Sequence, residues 1–508
     1  MTGVSNKNGM IQFPSSEGPF YGRKRADPAW LIGKITPEWK IQDFLRRHRA
    51  DGMNQDRTAV SKPRSSKPRY GGSRKKEPIR YLDALVAGES GEVFELPGYA
   101  AVGMAGPHLV PLTVDNTVQM PHGGELMLLP GRIPLVYNIR KREIEALPEN
   151  PYEPGRPVFP VAIFNSPGYV NAFVSAFEER EGAGFLPLFS YGAAGWGPGG
   201  FRSSVIQVDW ERRQDLRLMP EDKIQEGVKR YRHQMPENRL RSHLEHCALV
   251  SGCPAAKNFF IGRCEAPLPS SRQCNARCLG CISLQNEPGI SCCQERIAFT
   301  PTPDEIREVA TAHIDKVPDG VVSFGQGCEG DPLMVADVLR EAIVDIRKTT
   351  ADGTINLNSN ASLPGQVERL FHSGLDSIRV SMNSVRKPCY TAYFRPNGYE
   401  FDHVVESIRV AAAKGGHVAI NYLNCPGVTD TPEEFETLTR FLEQNPVHLI
   451  QWRNLNYDPL RYRIIMEQAD SQGTSMGMGR VISSLKKRFP ALKHGYFNPS
   501  KQNFWKKK

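Results

Sequence analysis

The chain of 508 residues is longer than one ordinary core fills, which points to two or three domains. Hydrophobic residues make up 40%, enough for globular cores, and no stretch reaches the ~18 to 20 uncharged apolar residues that crossing a bilayer takes, so a soluble, cytoplasmic protein with no membrane partner is expected. The net charge of +9 is unevenly placed: residues 1–80 hold 18 Lys/Arg against 7 Asp/Glu, a net of +11, and the rest of the chain carries −2.

Residues 1–80 therefore read as a basic leader. Its stretch TAVSKPRSSKPRYGGSRKKEP (58–78) combines Ser, Pro, Gly and like charge, and cannot bury enough apolar surface to offset its ordering entropy. A disordered arm is expected there, and an RNA or protein substrate is the acidic partner such an arm would meet. From 81 to 215 the segments GEVFEL, ELMLLPG, IPLVYNI and PVFPVAIF are short, apolar and punctuated by Gly and Pro, as strands of a β-rich accessory domain are. Within them YGAAGWGPGG (191–200) lacks the Lys-Ser/Thr ending of a phosphate loop and reads as a turn. Residues 216–254 are charged and mostly helical, a connector that also carries cysteines.

From 255 to 460 strands alternate with helices. A first strand is expected in NFFIGRCEA (258–266), followed by strands in GVVSFGQG, TINLNSN, LDSIRVSMN, HVAINYLNCPG and VHLIQWRNLN. Thr-Pro at 302–303 and 431–432 places a capping hydroxyl before a proline at the first helical position, and Gly-Gly at 415–416 ends a helix. The expected fold class is α/β, a partial (β/α)6 TIM-like barrel with parallel strands and its chemistry at their C-terminal ends. Residues 461–508 remain as a C-terminal extension.

Eleven cysteines, crowded between Cys247 and Cys293, suit metal ligation in a reducing compartment better than a disulfide framework. Three of them fall in RQCNARCLGCIS (272–283), at C-x3-C-x2-C spacing in the loop after the first strand. Such a loop can wrap three thiolates around one corner of a cubane and leave the fourth iron open. Zinc would want a fourth ligand, and no C-x2-C or H-x3-H partner follows.

With its cluster loop CNARCLGC, the chain resembles the radical S-adenosylmethionine (radical SAM) superfamily over about residues 255–460. The resemblance implies that Cys274, Cys278 and Cys281 hold a 4Fe-4S cluster, whose open iron is chelated by the amino and carboxylate groups of S-adenosylmethionine. An external one-electron reductant would then drive cleavage to a 5′-deoxyadenosyl radical that attacks a substrate still to be identified. FGQGCEGDP (324–332) stands where the family places its cofactor-binding glycines, with Gly325, Gly327 and Glu329 as nearest equivalents. Ser381 and Asn383 on the fourth strand are the ribose candidates. The aromatic residue common before the third cysteine is replaced by Gly280.

Cys247, Cys253 and Cys264 lie upstream and are candidates for a second, auxiliary iron–sulfur cluster, in outline like that of sulfur-inserting members of the family. Cys328 and Cys389 are candidate hydrogen-atom donors, and Arg379 and Arg453 candidate partners of a carboxylate. No acid–base pair stands out. The alternatives are a sulfur-inserting radical SAM enzyme, an iron–sulfur electron carrier, and a zinc-stabilised nucleic-acid-binding protein.

Overall fold

The computed structural model describes residues 79–212 and 215–506, so the reading of the leader up to residue 78 lies outside the described residues. A 12-stranded, largely antiparallel sheet occupies the first part, with its long strand Val93–Ala105 pairing Asp83–Ala87 on one side and Arg132–Asn138 on the other. The glycine-rich 191–200 segment is a β-hairpin, Gly192–Gly197 against Gly200–Ser203, turning at Pro198 and Gly199. Alternating burial along Arg132–Asn138 is the period-2 pattern of a strand with one face in a core.

The connector forms helices α1 (Glu221–Gln234) and α2 (Arg239–Leu249), and α3 (Pro254–Ile261) follows. Here the expectation of a first strand beginning at residue 258 is corrected. NFFI belongs to α3, which ends on Gly262 in the left-handed region at φ 68°, and strand β1 is only Glu265–Pro267.

Six further strands extend the sheet in chain order, every pair parallel: β2 (Val321–Phe324), β3 (Thr354–Ser359), β4 (Ser377–Met382), β5 (His417–Asn424), β6 (Leu449–Asn454) and β7 (Lys493–Gly495). The sheet thus has seven strands, the last supplied by residues read as an extension. Helices α4 (Pro303–Ile314), α5 (Ala336–Thr349), α6 (Pro364–His372), α7 (Lys387–Phe394), α8 (Phe401–Ala413), α9 (Pro432–Gln444), α10 (Pro459–Ala469) and α11 (Met478–Arg488) occupy the connections. The Thr-Pro signals hold: Thr302 caps α4 in a capping box with Glu305, and Thr431 caps α9. One continuous apolar core joins these helices to the outer faces of the strands. No helix among the described residues is long and apolar enough to cross a membrane.

Candidate functional site

Because all seven strands are parallel, the loops that leave them gather at one end of the sheet. The cysteine loop leaves β1 there, and the Gly-rich turn leaves β2 beside it. Their backbones are stitched together: Gly330 N–H donates to the Ser271 carbonyl at 2.7 Å and Asp331 N–H to the Gln273 carbonyl at 2.8 Å. Glycine is required at 330 because a Cβ would overlap the Gln273 carbonyl, and at 325, where φ is +80° and a Cβ would overlap the Asn358 carbonyl.

Glu329 completes the stitching. Its buried carboxylate accepts from the amides of Ser270 (2.8 Å), Ser271 (3.0 Å), Gly325 (2.8 Å) and Gln326 (2.7 Å), and so ties the exit of β1 to the exit of β2. Burial pushes its acid up to about 7 against the pull of those four amides. Asp331 does the same for β3, accepting from Ser359 Oγ and the Asn360 amide. Neither Gly330 nor Asp331 is singled out by the sequence, whose signal at this turn is the run of glycines.

On its other side the cysteine loop lies against α7, with the amides of Arg277 and Leu279 donating to the carbonyls of Phe394 and Tyr393. Gly280 sits where a Cβ would come within 2.8 Å of the Asn456 carbonyl and 2.9 Å of Tyr393 Oη. An aromatic side chain has no room there, because Tyr393 of α7 already fills the space. Cys274, Cys278 and Cys281 are half-buried, and Cys278 and Cys281 line a cavity of about 540 Å3 together with Arg296, Gln285, Arg395 and Asn397. Burial, with the Asp331 carboxylate nearby, pushes the Cys274 thiol up to about 12, and burial raises Cys278 well above the usual thiol range. Arg296 Nη2 donates to Cys281 Sγ at 3.5 Å, a contact the sequence does not announce. Three soft donors in one loop, two of them lining a cavity, with a cation against one sulfur, fit a cluster that is anionic and thiolate-bound.

The two ribose candidates part company. Ser381 is half-exposed on β4, two residues from Arg379 and on the same face. Asn383 is buried instead beneath α7 and α10, donating to the Cys389 carbonyl and Tyr462 Oη, with its own Oδ1 unpartnered. Hydrogen bonds crossing between strands mark the lumen: Asn498 Nδ2 reaches Glu265 Oε1 at 2.8 Å, Gln451 Nε2 reaches Asn498, and Arg379 Nη1 reaches Gln451 at 3.2 Å. Burial and the neighbouring Arg453 push the Arg379 guanidinium down to about 9, and the Nε atoms of both arginines are buried without a partner. That pairing is chemically suited to hold a carboxylate or phosphate.

The model of the radical SAM superfamily matches residues 268–442, a span that runs from the end of β1 through the cysteine loop to α9. Over that span the chain matches the radical SAM domain. A 4Fe-4S cluster and S-adenosylmethionine are the cofactors of radical SAM enzymes, and the cysteine loop and Gly-rich turn fall inside the matched span. Among solved structures, the chain is similar to Streptococcus suis SuiB bound to precursor peptide SuiA, at 15% identity, TM-score 0.33, covering 46% of this chain and 48% of that one. It is similar also to a radical SAM methyltransferase from Sphaerobacter thermophilus (14% identity, TM-score 0.33, 46% and 65% covered) and to methylornithine synthase PylB (17% identity, TM-score 0.32, 54% and 77% covered). The chain thus spans about half of the first of these and under two thirds of the second. No curated protein matches the sequence.

The upstream cysteines are distributed between two places. Cys247 lies on α2 with its Sγ against His243 and Cys328, and Cys253 begins α3 just beyond it. The hydrogen bond with Cys328 and then the His243 ring hold the Cys247 thiol down to about 5 against its burial. Cys264 is buried before β1 at φ 33°, its carbonyl bonded to His313 Nε2 and the Val321 amide. Cys328 is therefore turned toward α2, and Cys389 is on the buried face of α7, where its sulfur accepts from Gln472.

Proposed function

We propose that this protein is a radical SAM enzyme in which Cys274, Cys278 and Cys281 hold the 4Fe-4S cluster. The single observation that supports this most is the joining of the cysteine loop to the Gly325–Asp331 turn at the C-terminal end of a parallel partial barrel, inside the matched domain. When bound, cluster and cofactor supply one-electron cleavage of the sulfonium to a 5′-deoxyadenosyl radical. The chain's own part is to bind, orient and shield. The Gly325 and Gly327 segment offers backbone polar groups to the amino end of S-adenosylmethionine, while Glu329, saturated by amides, holds that segment in place; the Ser381 hydroxyl, and not the buried Asn383 carboxamide, is available to a ribose.

In this reading residues 81–215 are an accessory domain, 216–254 a connector, and 255–460 the barrel, with 461–508 adding its seventh strand. The accessory domain shapes entry to the site, the reductant is external, and the protein works in the cytoplasm. A protein or RNA substrate would engage residues 1–80, which lie almost entirely outside the described residues. The test is anaerobic reconstitution with iron and sulfide, followed by electron paramagnetic resonance of the reduced protein. About four irons should be lost in the Cys274→Ala, Cys278→Ala, Cys281→Ala triple variant, and adding S-adenosylmethionine should change the wild-type spectrum. A cluster present but indifferent to S-adenosylmethionine would favour an electron carrier.

A further inference from the structure

We propose that His243, Cys247, Cys253 and Cys328 form a second metal site, a mononuclear zinc site separate from the cluster loop. His243 and Cys247 are four residues apart on α2 and so project from one face of that helix. His243 Nε2 lies 3.5 Å from Cys247 Sγ, and Cys328, arriving from the turn after β2, completes a group whose ligand atoms all lie within 4.8 Å of one another. Around one tetrahedral zinc, with sulfur at about 2.3 Å and nitrogen at about 2.0 Å, donor atoms sit roughly 3.5 to 3.8 Å apart. A cubane would hold its thiolates wider, since each binds a different iron at its own corner.

Cys253 is the fourth donor. It stands at the N-terminal cap of α3, and its amide donates to the Cys247 carbonyl at 2.9 Å. Three thiols and an imidazole make a closed Cys3His set, soft enough to exclude magnesium and calcium, and the protons leave for solvent as zinc enters. Cys247 and Cys328 are buried, and a divalent cation offsets the cost of keeping thiolates there. Bound zinc would clasp α2, the start of α3 and the Gly-rich turn to one point, bracing that turn from behind. The proposal goes beyond the radical SAM reading and does not depend on it.

Zinc and iron are to be counted by mass spectrometry in full-length protein purified from cells: wild type, the triple variant of the cluster loop, His243→Ala and His243→Cys. One zinc per chain is expected in wild type and in the triple variant, with at least tenfold less in His243→Ala and full retention in His243→Cys. Cobalt(II) added to metal-stripped wild type should give the ligand-field and thiolate charge-transfer bands of a tetrahedral thiolate site. Absence of zinc and of those bands, a Cys247–Cys328 disulfide in its place, or iron that survives in the triple variant but leaves with His243→Ala would each overturn the assignment. If His243→Ala does not fold, the cobalt spectrum and His243→Cys decide. Loss of iron alone in the triple variant bears on the cluster loop and leaves the zinc count as a separate readout.

Discussion

Arg296 is the side chain whose removal isolates one effect at the cluster loop. Its guanidinium donates to Cys281 Sγ and to Ser283 Oγ, so with the proposed cluster bound it would support the extra negative charge of the reduced form. A hydrogen bond to a charged group is worth about 1.5 kcal/mol. At 59 mV per tenfold for one electron, Arg296→Leu should therefore lower the cluster's reduction potential by about 60 mV, measured by a redox titration followed by electron paramagnetic resonance. An unchanged potential would mean that Arg296 does not address the cluster. His243 makes a different point at this scale. Its signal, a histidine one helical turn before a cysteine in HLEHC, is present in the sequence, yet its partner Cys328 is 85 residues from His243 and only the closure of the sheet brings it near.

Among the elements, the Gly-rich turn is the most constrained. Gly325 sits at φ +80° with the Asn358 carbonyl where a Cβ would be, so Gly325→Ala requires a backbone shift between β2 and β3. A loss of about 2 kcal/mol or more is expected, seen as a Tm fall of several degrees, together with weaker S-adenosylmethionine binding by calorimetry. Wild-type values for both would remove this turn from the proposed cofactor site. The helices and central strands of the barrel are legible in the sequence because caps such as Thr302 and Thr431 and apolar runs such as HVAINYLN are local signals. The ends are not. NFFI has β-like composition but is closed as a helix by Gly262, and Lys493–Gly495 is a strand of three residues, KHG, held by the edge of β6 rather than by its own propensity. The roles of Glu329 and Asn383 were equally hidden, since hydrogen bonds over dozens of residues decide them.

Across the whole molecule, the accessory sheet leans on the same end of the barrel that carries the cysteine loop. Asn454 and Asn424, at the exits of β6 and β5, bond the backbone of Tyr169 and Asn171, and Gly106 donates to the Pro426 carbonyl at 3.2 Å. Arg132, buried, reaches Asp458 Oδ2 at 2.6 Å, and the same aspartate caps α10. Breaking such a buried pair from one side typically costs about 3 to 5 kcal/mol, so the two parts are held as one unit over the site. Phe185 and Leu188 of the accessory region touch the cysteine side as well, Leu188 accepting from Cys293 Sγ. The most direct measurement is 5′-deoxyadenosine release from S-adenosylmethionine by reconstituted wild type under dithionite, by chromatography with mass detection. Wild type should release it and the Cys274→Ala, Cys278→Ala, Cys281→Ala variant should not; a cluster-loaded, reduced wild type that releases no more than the variant would overturn the assignment of a radical site to the cysteine loop.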